Sequence, residues 1–176
     1  VGKGLENAFW RNETIRNGTR RWYRNTKLFY RTKKYMRANF MKFETNKAPK
    51  PVGLYPHARK VGNLLFLSGV GPRKPNSNDI PGVEVNENGN VISHDIIAQC
   101  HSVFENVRII LEEAGSSWDK LVDVTVFLTD IKNDFDSYNK LYSEYFKENQ
   151  PCRTTVEVSS LPTPIAIELK CIATID

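Results

Sequence analysis

Two helical stripes of apolar residues flank one alternating segment in the second half of the chain. Residues 93–114 repeat apolar positions at three- and four-residue steps, and Gly115 follows as a stop signal. Residues 122–130 alternate between apolar and polar positions, which is typical of a half-buried strand. Residues 133–148 carry a second stripe, made of Phe135, Tyr138, Leu141, Tyr142, Tyr145 and Phe146. The pattern predicts helix, strand and helix in this order, with Ser93 as the cap of the first helix.

Shorter apolar runs on either side of this unit predict four further strands. Residues 54–60 and 64–68 are separated by the turn signal Gly62-Asn63, and residues 153–159 and 165–175 form the other two strands. Residues 73–90 are rich in Asn, Gly and Pro, so we expect a polar loop there. The order β-β-α-β-α-β-β favours an α+β fold, with a mixed sheet and two helices on one face. Such a sheet leaves its other face uncovered, so we expect a closed homo-oligomer.

Length and composition fit one globular domain with additional residues. The chain has 176 residues, of which 40% are hydrophobic and 26% charged, enough for a core without a disulfide or metal. No apolar run is long enough to span a membrane, so we expect no membrane association. Cys100, Cys152 and Cys171 show no CxxC spacing. Their number and spacing favour a reducing, intracellular compartment, and we expect the cytoplasm.

The charge of the chain is divided between two segments. Residues 1–50 contain 14 Lys/Arg and 3 Asp/Glu, a net charge of +11, whereas residues 51–176 carry a net charge of −6. The basic segment interleaves Arg and Lys with aromatic residues, which fits a nucleic-acid-binding tail or a mitochondrial transit peptide. The chain begins with Val1, and Met36 and Met41 stand just before the predicted domain. A third interpretation is therefore that the basic segment is upstream sequence that is not part of the native protein.

Candidate chemistry depends on two charged residues in predicted strands. The sequence contains no nucleophile elbow and no phosphate-binding loop, and His57, His94 and His101 lack the spacing of metal ligands. Arg153 offers a bidentate fork for a carboxylate, and Glu168 offers an acceptor or base for a water molecule. Both residues also fit as ordinary charges on a solvated strand face, so the pattern alone leaves the two interpretations open.

Several short motifs, in order along residues 50–176, resemble the Rid family of reactive intermediate (imine/enamine) deaminases, also called the YjgF family. They include Tyr55-Pro-His57, the LLFLSG run that ends at Gly69, Arg153-Thr-Thr-Val156 and Ile167-Glu168. Within the family, the sequence is most similar to 2-aminomuconate deaminase, in Tyr-Pro-His, the GPRKP run and the GVEV run. Residues 1–45 have no counterpart there. We therefore expect a basic extension over residues 1–45 and a Rid-family domain over residues 46–176.

The resemblance implies a fold, an assembly and a reaction. The fold would be chorismate mutase-like, and the assembly a homotrimer whose three sheets line a central barrel. Three sites would lie in the clefts between subunits. The reaction would be hydrolysis of imines or enamines of carboxylic acids, with 2-aminomuconate or 2-imino acids as substrates, to the oxo acid and ammonia. The resemblance implies neither a metal nor an organic cofactor.

The resemblance also implies roles for individual residues. Arg153 matches the arginine that binds the substrate carboxylate, and Glu168 matches the glutamate that positions and polarises the attacking water. The remaining matches line the site, and they are Tyr55, Ser68, Asn139 and Thr155. Two positions depart from the family pattern: Thr155 replaces a frequent cysteine, and Val70 replaces the glutamine usual in imine deaminases. Val70 favours a subfamily with a differently shaped pocket.

An alternative function is a binding protein without deaminase activity. Members of the family have been associated with RNA cleavage and with inhibition of translation. The net charge of −6 over residues 51–176 and the lack of a nuclease motif argue against a nucleic-acid partner for the domain. The RNA interpretation gains support only if the basic residues 1–40 are native. Nothing in the sequence favours a third interpretation, a chaperone-like trimer.

Overall fold

The fold is described here over residues 40–77 and 79–176, from a computed structural model. The predictions for the basic residues 1–39 therefore lie outside the described residues. The helices are α1 (Ile96–Glu113) and α2 (Ile131–Phe146), and a short 3-10 helix spans Trp118–Lys120. The strands are β1 (Phe40–Phe43), β2 (Ala58–Val61), β3 (Leu64–Leu67), β4 (Val83–Val85), β5 (Val91–His94), β6 (Leu121–Leu128), β7 (Cys152–Glu157) and β8 (Ile167–Thr174).

Six of the strands form one mixed sheet, in the order β1-β2-β3-β8-β6-β7. Every neighbouring pair is antiparallel except β6 and β7, which run parallel. That parallel pair is joined by α2, because a parallel connection needs a crossover long enough to return the chain to the same end of the sheet. The predicted α+β fold with a mixed sheet is confirmed.

Both helices cover the same face of this sheet and form the core with it. The alternating residues Val124, Val126 and Leu128 of β6 are fully buried on this face. From α1 the core receives Cys100, Val103, Phe104, Val107 and Leu111, and from α2 it receives Tyr138, Leu141, Tyr142 and Phe146. Among the described residues, no helix has both the length and the apolar character that crossing a membrane requires.

The opposite sheet face carries a mixture of apolar and charged side chains that remain partly exposed. Phe66 of β3, Phe127 of β6 and Ile172 of β8 are half-buried, and Lys170 beside them is exposed. No helix among the described residues packs on this face, which is called the open face below. Large apolar side chains at this density on a sheet are typical of a surface that associates with another chain.

Two expectations about the segment before α1 are wrong. Residues 73–90 are not one polar loop, because β4 and β5 pair there as an antiparallel hairpin. Ser93 is not a helix cap: it lies in β5, and its hydroxyl donates to the Glu84 carboxylate at 2.7 Å. The cap of α1 is Asp95, whose side chain accepts the Ala98 N–H at 3.0 Å. An aspartate in extended backbone satisfies a free N–H of the first turn, so the helix begins there.

The first buried residue of β6 is also Leu121, whereas the alternation predicts Val122. The register shifts between Leu121 and Asp123, so Val122 bulges out of the ladder and is 43% exposed, while Leu121 is buried. A bulge places one extra residue in a strand and reverses the side on which later residues point. In addition, β1 at Phe40–Phe43 lies within the segment that the sequence places in the basic extension.

Candidate functional site

Glu168 lies near the start of β8, on the open face of the sheet. Its neighbours in the ladder, Ile167 and Leu169, point into the core, and alternation therefore turns Glu168 the other way. Its carboxyl group packs on the backbone of Gly69, where an added Cβ would lie only 2.8 Å from the Glu168 carboxyl carbon. Burial raises the pKa of Glu168, and the positive charge of Lys170 partly offsets this rise. A carboxyl group with a raised pKa is a suitable acid–base group near neutral pH.

Glu168 opens onto a cleft of about 340 Å³, called the Glu168 cleft below. The residues that line it include Tyr55, Ser68, Gly69, Thr163 and Ile165. Tyr55 is 42% exposed as a residue, so it remains accessible to a ligand. The Ser68 hydroxyl donates to the Pro56 carbonyl at 2.7 Å, which ties the end of β3 to the segment before β2. Ser68 therefore shapes the wall of the cleft through this bond.

The wall next to Gly69 is fixed to α1 by the polar side chains of Asn106 and Ser102. The Asn106 amide donates to the carbonyls of Gly71 and Arg73, both at 2.9 Å, and the Ser102 hydroxyl donates to the Pro72 carbonyl at 2.7 Å. Val70 pairs with Leu169 through two backbone hydrogen bonds, and its own side chain is 6% exposed within the core. The residue that departs from the family glutamine is therefore a core residue here.

Arg153 lies at the start of β7, on the edge of the sheet and beside α2. Its guanidinium donates to the Asn139 side-chain oxygen at 2.8 Å. The guanidinium carbon lies 4.7 Å from the ring centroid of Tyr142 and 5.8 Å from that of Tyr138. Cation–π contacts and one hydrogen bond thus hold the side chain while its other N–H groups remain available for an anion.

Thr155 follows Arg153 on the same side of β7 and is half-buried against α2. Its hydroxyl lies 3.5 Å from the Tyr138 hydroxyl. The Tyr138 ring is fully buried, and burial raises the pKa of its hydroxyl. Arg153, Asn139 and Thr155 therefore form one group, called the Arg153 group below.

The structure does not bring the Arg153 group and the Glu168 cleft together within one chain. Arg153 aligns with Val124 and Cys171 across the sheet, and those two side chains are buried on the helix-covered face. Glu168 aligns with Phe127 on the open face instead. Residues on opposite faces of a sheet cannot bind one small molecule together. The predicted site residues thus form two half-sites in each chain, Tyr55 with Ser68 and Glu168, and Arg153 with Asn139 and Thr155.

Sequence reasoning missed three residues that border Glu168. Gly69 supports the carboxylate, and Arg73 and Lys170 add positive charge to the same cleft. Lys170 could have been found, since it follows Glu168 by two residues in a strand and must share its face. Arg73 lies in a loop whose path no periodicity reveals. Among residues 40–77 and 79–176, no three His, Cys, Asp or Glu side chains are close enough to hold a metal.

Comparisons with known proteins agree with this architecture. Residues 45–175 match the family model described as Endoribonuclease L-PSP. A RutC family protein of Pyrococcus abyssi is 46% identical over 129 residues, which cover 73% of this chain and 92% of that protein. The chloroplastic Reactive Intermediate Deaminase A of Arabidopsis thaliana is 36% identical over 131 residues, 74% of this chain and 64% of that protein.

A solved structure shows the same fold. The crystal structure of E. coli TdcF with bound serine superposes with a TM-score of 0.66 at 32% identity, over 77% of this chain and 99% of that one. The matches cover most of the described residues, including both half-sites. The chain therefore belongs to the Rid (YjgF) family.

Proposed function

We propose that this protein is a hydrolytic deaminase of imines and enamines of carboxylic acids, with 2-aminomuconate-type compounds or 2-imino acids as substrates. The products are the oxo acid and ammonia. The observation that carries the proposal is the half-buried Glu168 carboxyl group with its raised pKa, held against Gly69 at the wall of an open cleft. Family membership supports the same reaction class, because a relative with 36% identity is named Reactive Intermediate Deaminase A.

The chemistry needs one base and one anion-binding group. The substrate enters as the protonated imine, and the Glu168 carboxylate takes a proton from a water molecule while the water oxygen bonds to the C=N carbon and the π electrons return to the nitrogen. Glu168 then returns its proton to the nitrogen of the carbinolamine. The C–N bond breaks and ammonia leaves, while the hydroxyl group gives its proton to the Glu168 carboxylate and the C=O bond forms. Glu168 then passes this proton to the departing ammonia, which leaves as ammonium. An enamine enters the same sequence after it tautomerises to the imine. Orienting the water and the imine contributes most of the rate gain that this scheme needs.

Arg153 binds the substrate carboxylate in this proposal, and it does so from a neighbouring copy of the chain. Two observations support this arrangement: the half-sites lie on opposite faces of one sheet, and the open face carries half-buried Phe66, Phe127 and Ile172. A closed ring of three copies would place the Arg153 group of one chain beside the Glu168 cleft of the next. The guanidinium fork, already steadied by Asn139 and Tyr142, then meets a carboxylate with little loss of side-chain freedom.

The decisive experiment measures ammonia release from 2-aminomuconate and from imines generated in situ by an amino-acid oxidase. Wild type should accelerate release from at least one of these substrates. Arg153→Ala should reduce kcat/KM by about 100-fold or more, since a carboxylate loses a bidentate charged partner. Glu168→Gln should lower kcat by about 100-fold or more, because the amide cannot act as a base.

A matched control is Lys132→Ala, which removes one exposed positive charge from the first turn of α2, two turns before Asn139. It should leave both parameters unchanged. Full activity in Arg153→Ala or Glu168→Gln would show that the site is assigned wrongly. Equal rates with and without wild-type protein on every substrate would refute the deaminase proposal itself.

A second candidate function is an RNA-associated protein of the same family. The description of the family model and the net charge of +11 over residues 1–50 favour it. Counterion release makes such binding weaken steeply with salt. The test compares RNA binding at several salt concentrations for the full chain and for a chain that begins at Phe40. Salt-dependent binding by the full chain alone would support the RNA role, and equal weak binding by both would exclude it.

A further inference from the structure

The Glu168 cleft carries more positive charge than one monocarboxylate substrate requires. Arg73 lines the cleft from the loop after β3, and Lys170 lines it from β8. Among the described residues, Glu168 is the single acid in the lining, and neither cation forms an ion pair. The cleft therefore has an excess of one positive charge when Glu168 is ionised and of two when it is protonated.

Arg73 is held in place before any ligand arrives. Its guanidinium donates to the Lys50 carbonyl at 2.7 Å, and its own carbonyl accepts from the Asn106 amide at 2.9 Å. Asn106 is 3% exposed and belongs to α1, so the loop that carries Arg73 is anchored to the core. A guanidinium has five N–H donors, and those that do not reach Lys50 remain for a ligand. A pre-positioned arginine loses less conformational freedom on binding an anion than a mobile one.

Lys170 is placed by the sheet itself. It follows Glu168 by two residues in β8, so both side chains leave the same face of the same strand. Its positive charge also lowers the pKa of Glu168, as expected for two groups on one strand face. Arg73 and Lys170 thus approach the cleft from different elements, and Glu168 lies in its wall.

We propose that Arg73 and Lys170 form a second anion-binding subsite, which binds a distal carboxylate and makes the protein selective for dicarboxylic imines and enamines. The proposal rests on the proposed function, in which Arg153 of a neighbouring copy binds the carboxylate next to the C=N bond. The cleft of about 340 Å³ falls in the range of small-molecule sites, about 300–1,000 Å³, and so has room for a chain with a second acid group.

The first test compares two substrates of nearly equal shape. Imines are generated in situ from glutamate and from glutamine by a broad-specificity amino-acid oxidase, and kcat and KM for ammonia release are measured. The side chain ends in a carboxylate in one and in a neutral amide in the other. Wild type should prefer the acidic imine by about 10-fold or more in kcat/KM, mainly through KM. Equal values for the two substrates would overturn the subsite while leaving the deaminase function standing.

Variants then assign the preference to the subsite. Arg73→Gln should raise KM for the acidic imine about 10-fold and leave the neutral imine unaffected. Lys74→Gln is the matched control, because Lys74 is the next residue, is exposed and does not line the cleft. It removes the same charge from the chain and should change neither KM. Equal losses on both substrates in Arg73→Gln, or a loss in Lys74→Gln, would overturn the assignment.

A binding measurement keeps the subsite testable if catalysis is absent. Titration calorimetry of the full chain with glutarate and with the neutral-ended glutaramate needs no turnover. Wild type should bind glutarate about 10-fold more tightly, and Arg73→Gln should abolish the difference. A difference that survives in Arg73→Gln, or no difference in wild type, refutes the subsite. No ammonia release from any imine together with selective glutarate binding would refute the deaminase function alone.

Discussion

Two effects shift the pKa of Glu168 in opposite directions. Burial raises the pKa of its carboxyl group, and the Lys170 ammonium lowers it. A general base is active only when deprotonated, so kcat/KM should rise with pH through the pKa of Glu168. Lys170→Gln removes the charge that stabilises the carboxylate and therefore moves this rise to higher pH.

The measurement is a pH profile of kcat/KM with a neutral-ended imine, for wild type and Lys170→Gln. The neutral substrate removes any contribution from a distal carboxylate. Lys147→Gln, on an exposed residue just after α2, serves as the control for loss of one positive charge. An ascending limb at the same pH in Lys170→Gln and wild type would contradict the assignment of Glu168 as the base.

A methyl group at position 69 would overlap the Glu168 carboxyl group, which would have to move away to make room. Gly69→Ala should therefore displace the Glu168 carboxyl group, lowering kcat/KM by about 10-fold or more. The free energy of unfolding should change by less than about 0.5 kcal/mol, because the end of the Glu168 side chain can turn away from the new methyl group. Urea unfolding of Gly69→Ala and Glu168→Ala, together with kcat/KM of Gly69→Ala, measures both effects. A loss of stability that persists in the double variant would locate strain elsewhere.

At the residue level, the sequence indicates candidate chemistry but not which side chains lie close together. Short motifs point to Arg153 and Glu168 as site candidates, because an arginine and a carboxylate in a strand can be recognised from the sequence alone. The support of Glu168 by Gly69 was not visible, since it depends on the distance between two strands that β8 and the end of β3 bring together. Arg73 was missed for the same reason: only the tie between Asn106 and the loop carbonyls brings it to the cleft.

Two residues near the start of α1, Ser93 and Asp95, are candidate helix caps, and only Asp95 caps the helix. Asp95 accepts the Ala98 N–H, whereas the Ser93 hydroxyl bonds to Glu84 within the hairpin. Asp95→Ala should lower the free energy of unfolding by about 1 kcal/mol, because a first-turn N–H loses its partner. Ser93→Ala removes only an exposed side-chain bond and should change it by less than about 0.5 kcal/mol. Urea unfolding of the two variants measures both values, and the reverse order would place the helix start at Ser93.

Elements with strong periodicity were predicted, and elements held by distant partners were not. The apolar stripes of α1 and α2 are long enough to be read directly from the sequence. The β4–β5 hairpin is short and rich in turn residues, and Val85, Val91 and Ile92 in it are exposed. It is tied to α2 by His94, whose ring lies 2.8 Å from the Asp134 carboxylate. Periodicity cannot reveal a contact of that kind, because the two residues are far apart in the chain.

On the scale of the whole molecule, two inactive variants should restore activity to each other. A site made by two copies needs an intact Arg153 from one chain and an intact Glu168 from the next. Arg153→Ala and Glu168→Gln chains, refolded together in equal amounts, would then regain about a quarter of wild-type activity, the fraction of interfaces with both residues intact. Ammonia release after co-refolding, with each variant refolded alone as the control, gives the answer. Complete inactivity of mixed assemblies, verified by mass, would place both residues in one chain's site.

The sequence also predicts a closed homo-oligomer, because the predicted sheet has one face that no helix covers. An alternating sheet with helices on one side leaves partly apolar side chains on the other, and Phe66, Phe127 and Ile172 are in that position. The number of copies does not follow from this pattern, since any closed ring covers such a face. The homotrimer remains a prediction from the family resemblance, and sedimentation at several protein concentrations would measure it.

The contact between Gly69 and Glu168 also restricts the order in which mutations can accumulate in descendants of this protein. A lineage that depends on this carboxylate cannot fix a side chain at position 69 without displacing the carboxylate and losing turnover. A lineage that first loses the carboxylate is released from this restriction, and position 69 can then drift. Genomes should thus contain homologues with glycine and glutamate together, or with neither, and few with glutamate beside a bulky neighbour. The residues at the positions of Gly69 and Glu168 would then distinguish homologues that retain the proposed reaction from those that have lost it.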